Sequence, residues 1–211
     1  MAAGRFITFE GGEGCGKSTQ IRLLAERLRA AGKEVLLTRE PGGTALAEKI
    51  RSLVREESDD PPNSRAETLL FIASRAQVVE SVIRPALVSG TWVLCDRFAD
   101  STFAYQGYGR GLNLDELKRI NSFATGGLEP DRTILLNVSP EISAKRMRAR
   151  EAATNTDADR MEKAGDGFHA RLKQGFLELA AAEPKRFAVI QADGSVEEVA
   201  EAVWNSIQPM L

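Results

Sequence analysis

The sequence predicts a doubly wound α/β fold, a five-stranded parallel sheet flanked by helices. Three observations point to it. Five short apolar runs rich in β-branched residues, Arg5–Glu10, Glu34–Thr38, Trp92–Asp96, Arg132–Val138 and Phe187–Gln191, are separated by helix-like stretches. Strands that alternate with amphipathic helices argue for a parallel sheet covered on both faces. The first run also opens into a glycine-rich loop that leads straight into a helix, so ligand groups should gather at the carboxyl ends of the strands.

Taken in order, the first strand carries Phe6-Ile7-Thr8-Phe9 and is followed by Gly11-Gly12-Glu13-Gly14-Cys15-Gly16-Lys17-Ser18. This is G-x-x-x-x-G-K-[ST] in its strand–loop–helix setting. Gly11, Gly14 and Gly16 let the backbone curl so that successive N–H groups face phosphate oxygens. The helix Lys17–Ala31 adds the positive end of its dipole. Lys17 is expected to reach the β- and γ-phosphates and the Ser18 hydroxyl to help hold Mg²⁺, so the loop implies a nucleoside triphosphate ligand.

The second strand runs into Thr38-Arg39-Glu40-Pro41-Gly42-Gly43-Thr44, which places a guanidinium at a strand end beside the loop. Arg39 could grip a second anionic group in bidentate fashion; standing alone, such a residue would read as a solvated surface arginine. A helix follows over Thr44–Arg55, then Glu56–Ser64, a stretch that reads as mobile, and a long helix over Ser64–Ser89. Within it Phe71 and Arg75 share one face, as residues four apart do. They suit a nucleobase site, and equally a core phenylalanine with a rim arginine.

The third strand ends in Cys95-Asp96-Arg97. Asp96 is placed to bind Mg²⁺ or its waters, and Arg97 to clamp a ligand rather than pair with its own neighbour. Residues 100–111 carry Ser101, Tyr105 and Gln106 among three glycines, which suits hydrogen bonding to a base and packing on a sugar, or else an ordinary surface loop. Helices follow over Leu114–Ala124 and Pro140–Arg150, the latter with Ser139 as N-cap and Pro140 in its first turn. Lys145-Arg146-Met147-Arg148-Ala149-Arg150 then precedes Glu151–Ala158, small, polar and read as mobile, and Asp159-Arg160-Met161-Glu162. Arginines on both sides of such a stretch suggest a lid at about 146–162, although a basic run is ordinarily a solvated helix face. Helices over Gly165–Ala182 and Val196–Ile207 complete one domain spanning 1–211.

Composition narrows the function. The 211 residues hold 28 Lys plus Arg against 30 Asp plus Glu, a net charge of −2, so no global basic field exists to grip a polynucleotide. No run approaches the roughly 18 apolar residues of a membrane span, and no signal segment stands at the start. Two cysteines, Cys15 and Cys95, are too few for a disulfide framework and suit a reducing cytosol. The chain reads as soluble and cytoplasmic, with no nucleic-acid or membrane partner.

As a set, FEGGEGCGKSTQ, TREPGGT, ETLLFIASRAQ, VLCDRFADSTFAYQGYGRGL, DRME and FHARLKQGF resemble the bacterial thymidylate kinases, phosphate-loop nucleoside monophosphate kinases that make dTDP from dTMP and ATP. The resemblance covers most of the chain and implies Mg²⁺, a homodimer, and ATP held by Gly11 to Ser18, Thr19 and Arg146. It also implies that Arg39 and Arg97 hold the dTMP phosphate and that Phe71 stacks on thymine, with Arg75, Ser101 and Gln106 near its polar edge. Tyr105 would pack where a 2′-hydroxyl would clash, and Glu13 would approach the acceptor sugar. With no basic residue among positions 12 to 15, the chain resembles the form whose catalytic arginines come from the lid, Arg150 and Arg160 first, then Arg146 and Arg148. Ser74 stands where an aspartate is common beside Arg75. The rivals are a kinase for another nucleoside monophosphate, a phosphate-loop switch, and a nucleic-acid-dependent ATPase.

Overall fold

A computed structural model describes residues 4–56, 58–154 and 165–211. Five parallel strands, β1 (Phe6–Glu10), β2 (Val35–Arg39), β3 (Trp92–Asp96), β4 (Arg132–Asn137) and β5 (Phe187–Gln191), form one sheet in the order β2-β3-β1-β4-β5. The central strand is the one that feeds the glycine-rich loop. All five strands fall within one or two residues of the ranges expected from the sequence.

The period of two along β1 sorts its side chains between two cores. Ile7 and Phe9 join Leu94, Ile134 and Ile190 on one face, covered by Ile21, Leu24 and Leu28 of α1 (Lys17–Ala30) and Val199, Val203 and Ile207 of α9 (Val196–Ile207). Helix α9 starts at a capping box in which the Ser195 hydroxyl and Glu198 carboxylate each accept from the other's backbone N–H. On the opposite face Phe6, Val93 and Cys95 pack against Val78, Val79 and Ile83, while Leu135 and Phe187 meet Phe168, Leu172 and Phe176 of α8 (Asp166–Ala182). Helix α2 (Ala45–Arg55) lies outside, against α3 (Ser64–Val78), and α3 also touches α6 (Leu114–Thr125). Among the described residues no helix is long and apolar enough to cross a membrane.

Two segments differ from expectation. The helix predicted over Ser64–Ser89 is present as α3, a π-helical turn at Val79–Ile83, and α4 (Arg84–Val88). Pro85 sits in the first turn of α4. A proline inside an α-helix lacks an N–H and crowds the carbonyl four residues back, and a widened turn just before it relieves both demands. The glycine-bearing stretch 100–111, which suits a ligand-binding segment or an ordinary surface loop and carries no predicted helix, is helical through Gly109, as α5 (Ala99–Thr102) followed by a second π-helical segment, Phe103–Gly109. The glycines of this segment serve contact rather than turning, since a Cβ at Gly109 would lie 2.5 Å from the Phe168 ring and one at Gly107 2.4 Å from Leu114. Helix α7 (Pro140–Thr154) runs four residues past Arg150, through the start of the stretch Glu151–Ala158. The rest of that stretch and all of DRME, Arg160 included, lie outside the described residues.

Gly175, in the middle of α8, shows the same close packing, with its missing Cβ 2.5 Å from the ring of Tyr108 and 2.7 Å from that residue's Cβ. Gly175→Ala should therefore lower stability by about 1–2 kcal/mol, because overpacking outweighs the helix-propensity gain of about 1 kcal/mol. Thermal unfolding tests this: a rise in Tm would show that α8 does not seat against Tyr108 this closely.

Candidate active site

The sheet register brings the predicted groups together. Phe9 pairs with Asp96, and Asp96 with Arg39, so Glu10, Asp96 and Arg39 leave the sheet side by side at its carboxyl edge. Over that edge lies a cavity of about 610 Å³. Every site residue expected from the sequence borders it except four: Gly11, Gly12, Arg148 and Arg160. Of these, Arg160 lies outside the described residues.

The glycine-rich loop is built around its lysine. Gly11 has φ +135° and its backbone is so close to β4 that a Cβ would meet the Leu136 carbonyl oxygen at 2.6 Å. Gly14 adopts φ +67° against the Ser143 carbonyl of α7. Only glycine combines that conformation with that clearance. The Lys17 ammonium, almost buried, donates to the Gly11 and Gly12 carbonyls at 3.0 and 2.9 Å and approaches the Cys15 sulfur at 3.4 Å. No acidic residue stands in the first turn of α1, so the positive helix end is open to an anion. The Ser18 hydroxyl donates to Asp96 at 3.4 Å. Both cysteines are buried free thiols.

Opposite the loop, Arg97 adopts φ +70°, rare for a residue with a side chain. Its guanidinium donates to Glu13 at 2.6 Å, to the Gly11 carbonyl at 3.2 Å and to the Ser101 hydroxyl at 3.2 Å, and it lies over the Tyr105 ring at 4.9 Å. It does not fold onto its neighbour Asp96. The Tyr105 hydroxyl also donates to Glu13, at 3.3 Å. Burial pushes the Glu13 carboxyl up, but Arg97, Lys17, the Tyr105 hydroxyl and Arg150 together bring it down to about 2. Behind them Glu10 has no solvent contact: it accepts from the backbone N–H of Phe98 at 2.8 Å and of Ser101 at 3.3 Å, and from the Ser101 hydroxyl at 2.6 Å. Burial and nearby Asp100 raise its pKa to about 7, against the pull of Arg97 and those donors.

Arg75 is more deeply placed than its expected role at the edge of a base suggests. It is 2% exposed, and its fork is spread over Glu40 at 2.7 Å, Thr102 at 3.0 Å, Asn121 at 2.8 Å and the Phe98 carbonyl at 2.9 Å. It braces one cavity wall. Ser101 likewise spends its hydroxyl between Glu10 and Arg97. Phe71, by contrast, is half-buried with its ring on the cavity, and Gln106 reaches it from the π-helical segment.

Arg39 is half-exposed and donates to both oxygens of Glu48, at 3.1 and 3.0 Å. Arg51 and Arg55, one turn apart on α2, also border the cavity and were not anticipated. The cavity thus gathers Lys17, Arg39, Arg51, Arg55, Arg75, Arg97, Arg146 and Arg150 against Glu13, Glu40 and Asp96. In a chain of net charge −2, eight of the 28 Lys and Arg residues line this one hollow. Glu10, Glu40 and Glu67, all buried and none anticipated, hold the cationic and polar residues in place.

A pKa lowered to about 2 means that Glu13 adds stability above its ordinary value of 4.5 and loses it as pH falls through about 2. Wild-type stability should drop across that window. Glu13→Gln should lose about 1–3 kcal/mol less over the same range, read as Tm against pH. Parallel curves would mean that Glu13 is not held ionised by Arg97.

The comparisons agree with this geometry. The family model for thymidylate kinase matches residues 9–203. A thymidylate kinase of Synechococcus sp. (strain JA-2-3B'a(2-13)) is 51% identical over 206 residues, 98% of this chain and 95% of the relative. That of Deinococcus radiodurans is 48% identical over 207 residues, covering 98% of each. The crystal structure of thymidylate kinase from Ehrlichia chaffeensis superposes with a TM-score of 0.79 at 34% identity, covering 98% of this chain and all of that one. A phosphate-binding loop, a second cationic cluster facing it and a full-length match converge: the chain belongs to the thymidylate kinase family.

Proposed function

We propose that this protein transfers the γ-phosphoryl group of ATP to dTMP, giving dTDP and ADP, in the cytoplasm and on free nucleotides rather than nucleic acid. The observation that carries the reading is the cavity itself, with eight cationic side chains around a hollow that has the phosphate loop on one side and Phe71, Tyr105 and Gln106 on another. Two polyanions must meet there, and their repulsion has to be absorbed. The loop, Lys17, Thr19 and Arg146 take ATP. Arg39 and Arg97 take the acceptor phosphate, Phe71 stacks on the base, and Arg75 and Ser101 border it. Tyr105, buried and tied to Glu13, packs on the deoxyribose, where a 2′-hydroxyl would clash; its place on the cavity wall supports this.

The acceptor needs no general base, because a phosphate monoester with a second pKa of about 6 is already mostly dianionic at neutral pH. Ser18 and Asp96 suit Mg²⁺, an ion that takes one or two protein oxygens and keeps several waters. Among the described residues no cluster of three or more acidic, cysteine or histidine side chains offers a dedicated metal cage. Held by Ser18 and Asp96, such an ion would supply neutralisation of phosphate charge. The segment at about 146–162 serves as the lid. Arg146 and Arg150 border the cavity in its described part, and closure excludes water as a competing acceptor. A homodimer fits the exposed apolar residues on three adjoining helices, Leu46 and Leu53 on α2, Leu69 on α3 and Phe123 on α6, the last 90% exposed.

ADP release with ATP and Mg²⁺ should be strong with dTMP and weak with dUMP, dCMP, dGMP or dAMP. A different preferred acceptor would keep the chemistry and overturn the base site; no acceptor dependence would leave a nucleotide-binding switch. Arg150→Ala and Arg160→Ala identify the lid arginine. Loss of the one that meets the transferred phosphoryl group should cost roughly 10³-fold in kcat, about 4 kcal/mol. Near-normal turnover of both would remove the lid from the mechanism.

A further inference from the structure

Gln106 borders the base end of the cavity, and a primary amide there presents either a donor or an acceptor depending on which way it is turned. Its Nε2 lies 3.0 Å from Oε1 of Glu67, a carboxylate on the first turn of α3 that is 1% exposed. Glu67 also accepts from Arg110, at 3.4 Å from Nε and 3.2 Å from Nη2. A carboxylate oxygen accepts hydrogen bonds and does not donate them, and Arg110 meets the same carboxylate as an ion pair. The amide must therefore turn its NH₂ toward Glu67. Turning it over would set two oxygens against each other in a dry environment, a loss of one buried hydrogen bond with repulsion added.

We infer that Glu67 is the positioning residue for base choice: through Gln106 it fixes a carbonyl acceptor, rather than an NH₂ donor, at the base edge of the cavity. Among the described residues nothing donates to that carbonyl, so it is the end of the amide left for a ligand. This deepens the reading of the site as a dTMP site and rests on it. A fixed acceptor suits a pyrimidine whose ring N3 carries hydrogen, as in thymine and uracil. Cytosine has a bare N3 lone pair at the same place, and its approach would leave two acceptors facing each other. Sites built to satisfy one polar pattern reject the wrong one through the unpaired group, not through shape. The rule separates dTMP from dCMP. It does not separate dTMP from dUMP, which differ only in the methyl group.

The test is the ratio of kcat/KM for dTMP to that for dCMP. Glu67→Met, similar in length and apolar, frees the amide to turn. The ratio should fall at least about tenfold, with dTMP losing and dCMP gaining. Gln106→Met should lower the ratio similarly, and the double variant should fall little further, since both act through one group. Arg110→Met keeps the Glu67–Gln106 contact and should keep most of the ratio, which separates positioning from a general loss of packing. If Glu67→Met fails to fold, Glu67→Gln carries the test: a neutral amide can meet Gln106 in either sense, so the ratio should fall there too. A folded Glu67 variant with the wild-type ratio overturns the inference. Wild-type protein without dTMP-dependent turnover would instead overturn the dTMP reading itself.

Discussion

Glu10 ends the central strand with no exposure to water, and much of the site hangs from its two oxygens. They accept from the Phe98 and Ser101 backbone and from the Ser101 hydroxyl, which pins the turn after β3 against the end of β1. Ser101 in turn accepts from Arg97, whose other nitrogen holds Glu13 in the phosphate loop. A single buried carboxyl thus couples the glycine-rich loop to Arg97 across the cavity. Its raised pKa reflects the same placement, since a carboxyl out of water beside Asp100 resists ionisation even with a guanidinium nearby.

The second layer is a set of braces that keep cationic groups desolvated and aimed. Arg75 is saturated by Glu40, Thr102, Asn121 and the Phe98 carbonyl, so it holds the α3 side of the cavity against the β3 turn. Arg186, on the far side of the sheet edge, donates to both oxygens of buried Asp100. Breaking such pairs leaves an uncompensated buried charge, which is costlier than the pair is favourable. Arg97 adds backbone cost, since φ +70° is held by its contacts to Gly11, Ser101 and Glu13 rather than by local preference. Stability has been traded for position at a guanidinium that borders the cavity.

The strands were legible because each is a short apolar run, and burial on both faces of a parallel sheet demands that composition. The phosphate loop was legible because its glycines, lysine and serine are contiguous, and their chemistry is local. The helix within stretch 100–111 was not legible for a definite reason. Glycine normally lowers helix propensity, whereas Gly107 and Gly109 are there to admit Leu114 and Phe168, partners distant in sequence or outside the stretch. Arg51 and Arg55 of α2 escaped notice because a basic pair on an amphipathic helix looks like a solvated face until the helix is placed.

The amino-acid order by itself determined the strand count, the parallel α/β layering, the nucleotide loop and the set of arginines available to it, because each rests on neighbours within a few residues. The tertiary structure decided what those arginines are for. Strand order brings Arg39 and Asp96 beside the loop, and long-range carboxylates then sort the cations: Arg75 to Glu40, Arg97 to Glu13, Arg110 to Glu67. Those partners lie 35, 84 and 43 residues apart. No local pattern can pair them, because electrostatic and hydrogen-bond energies depend on distance in space and on dryness, and folding alone supplies both.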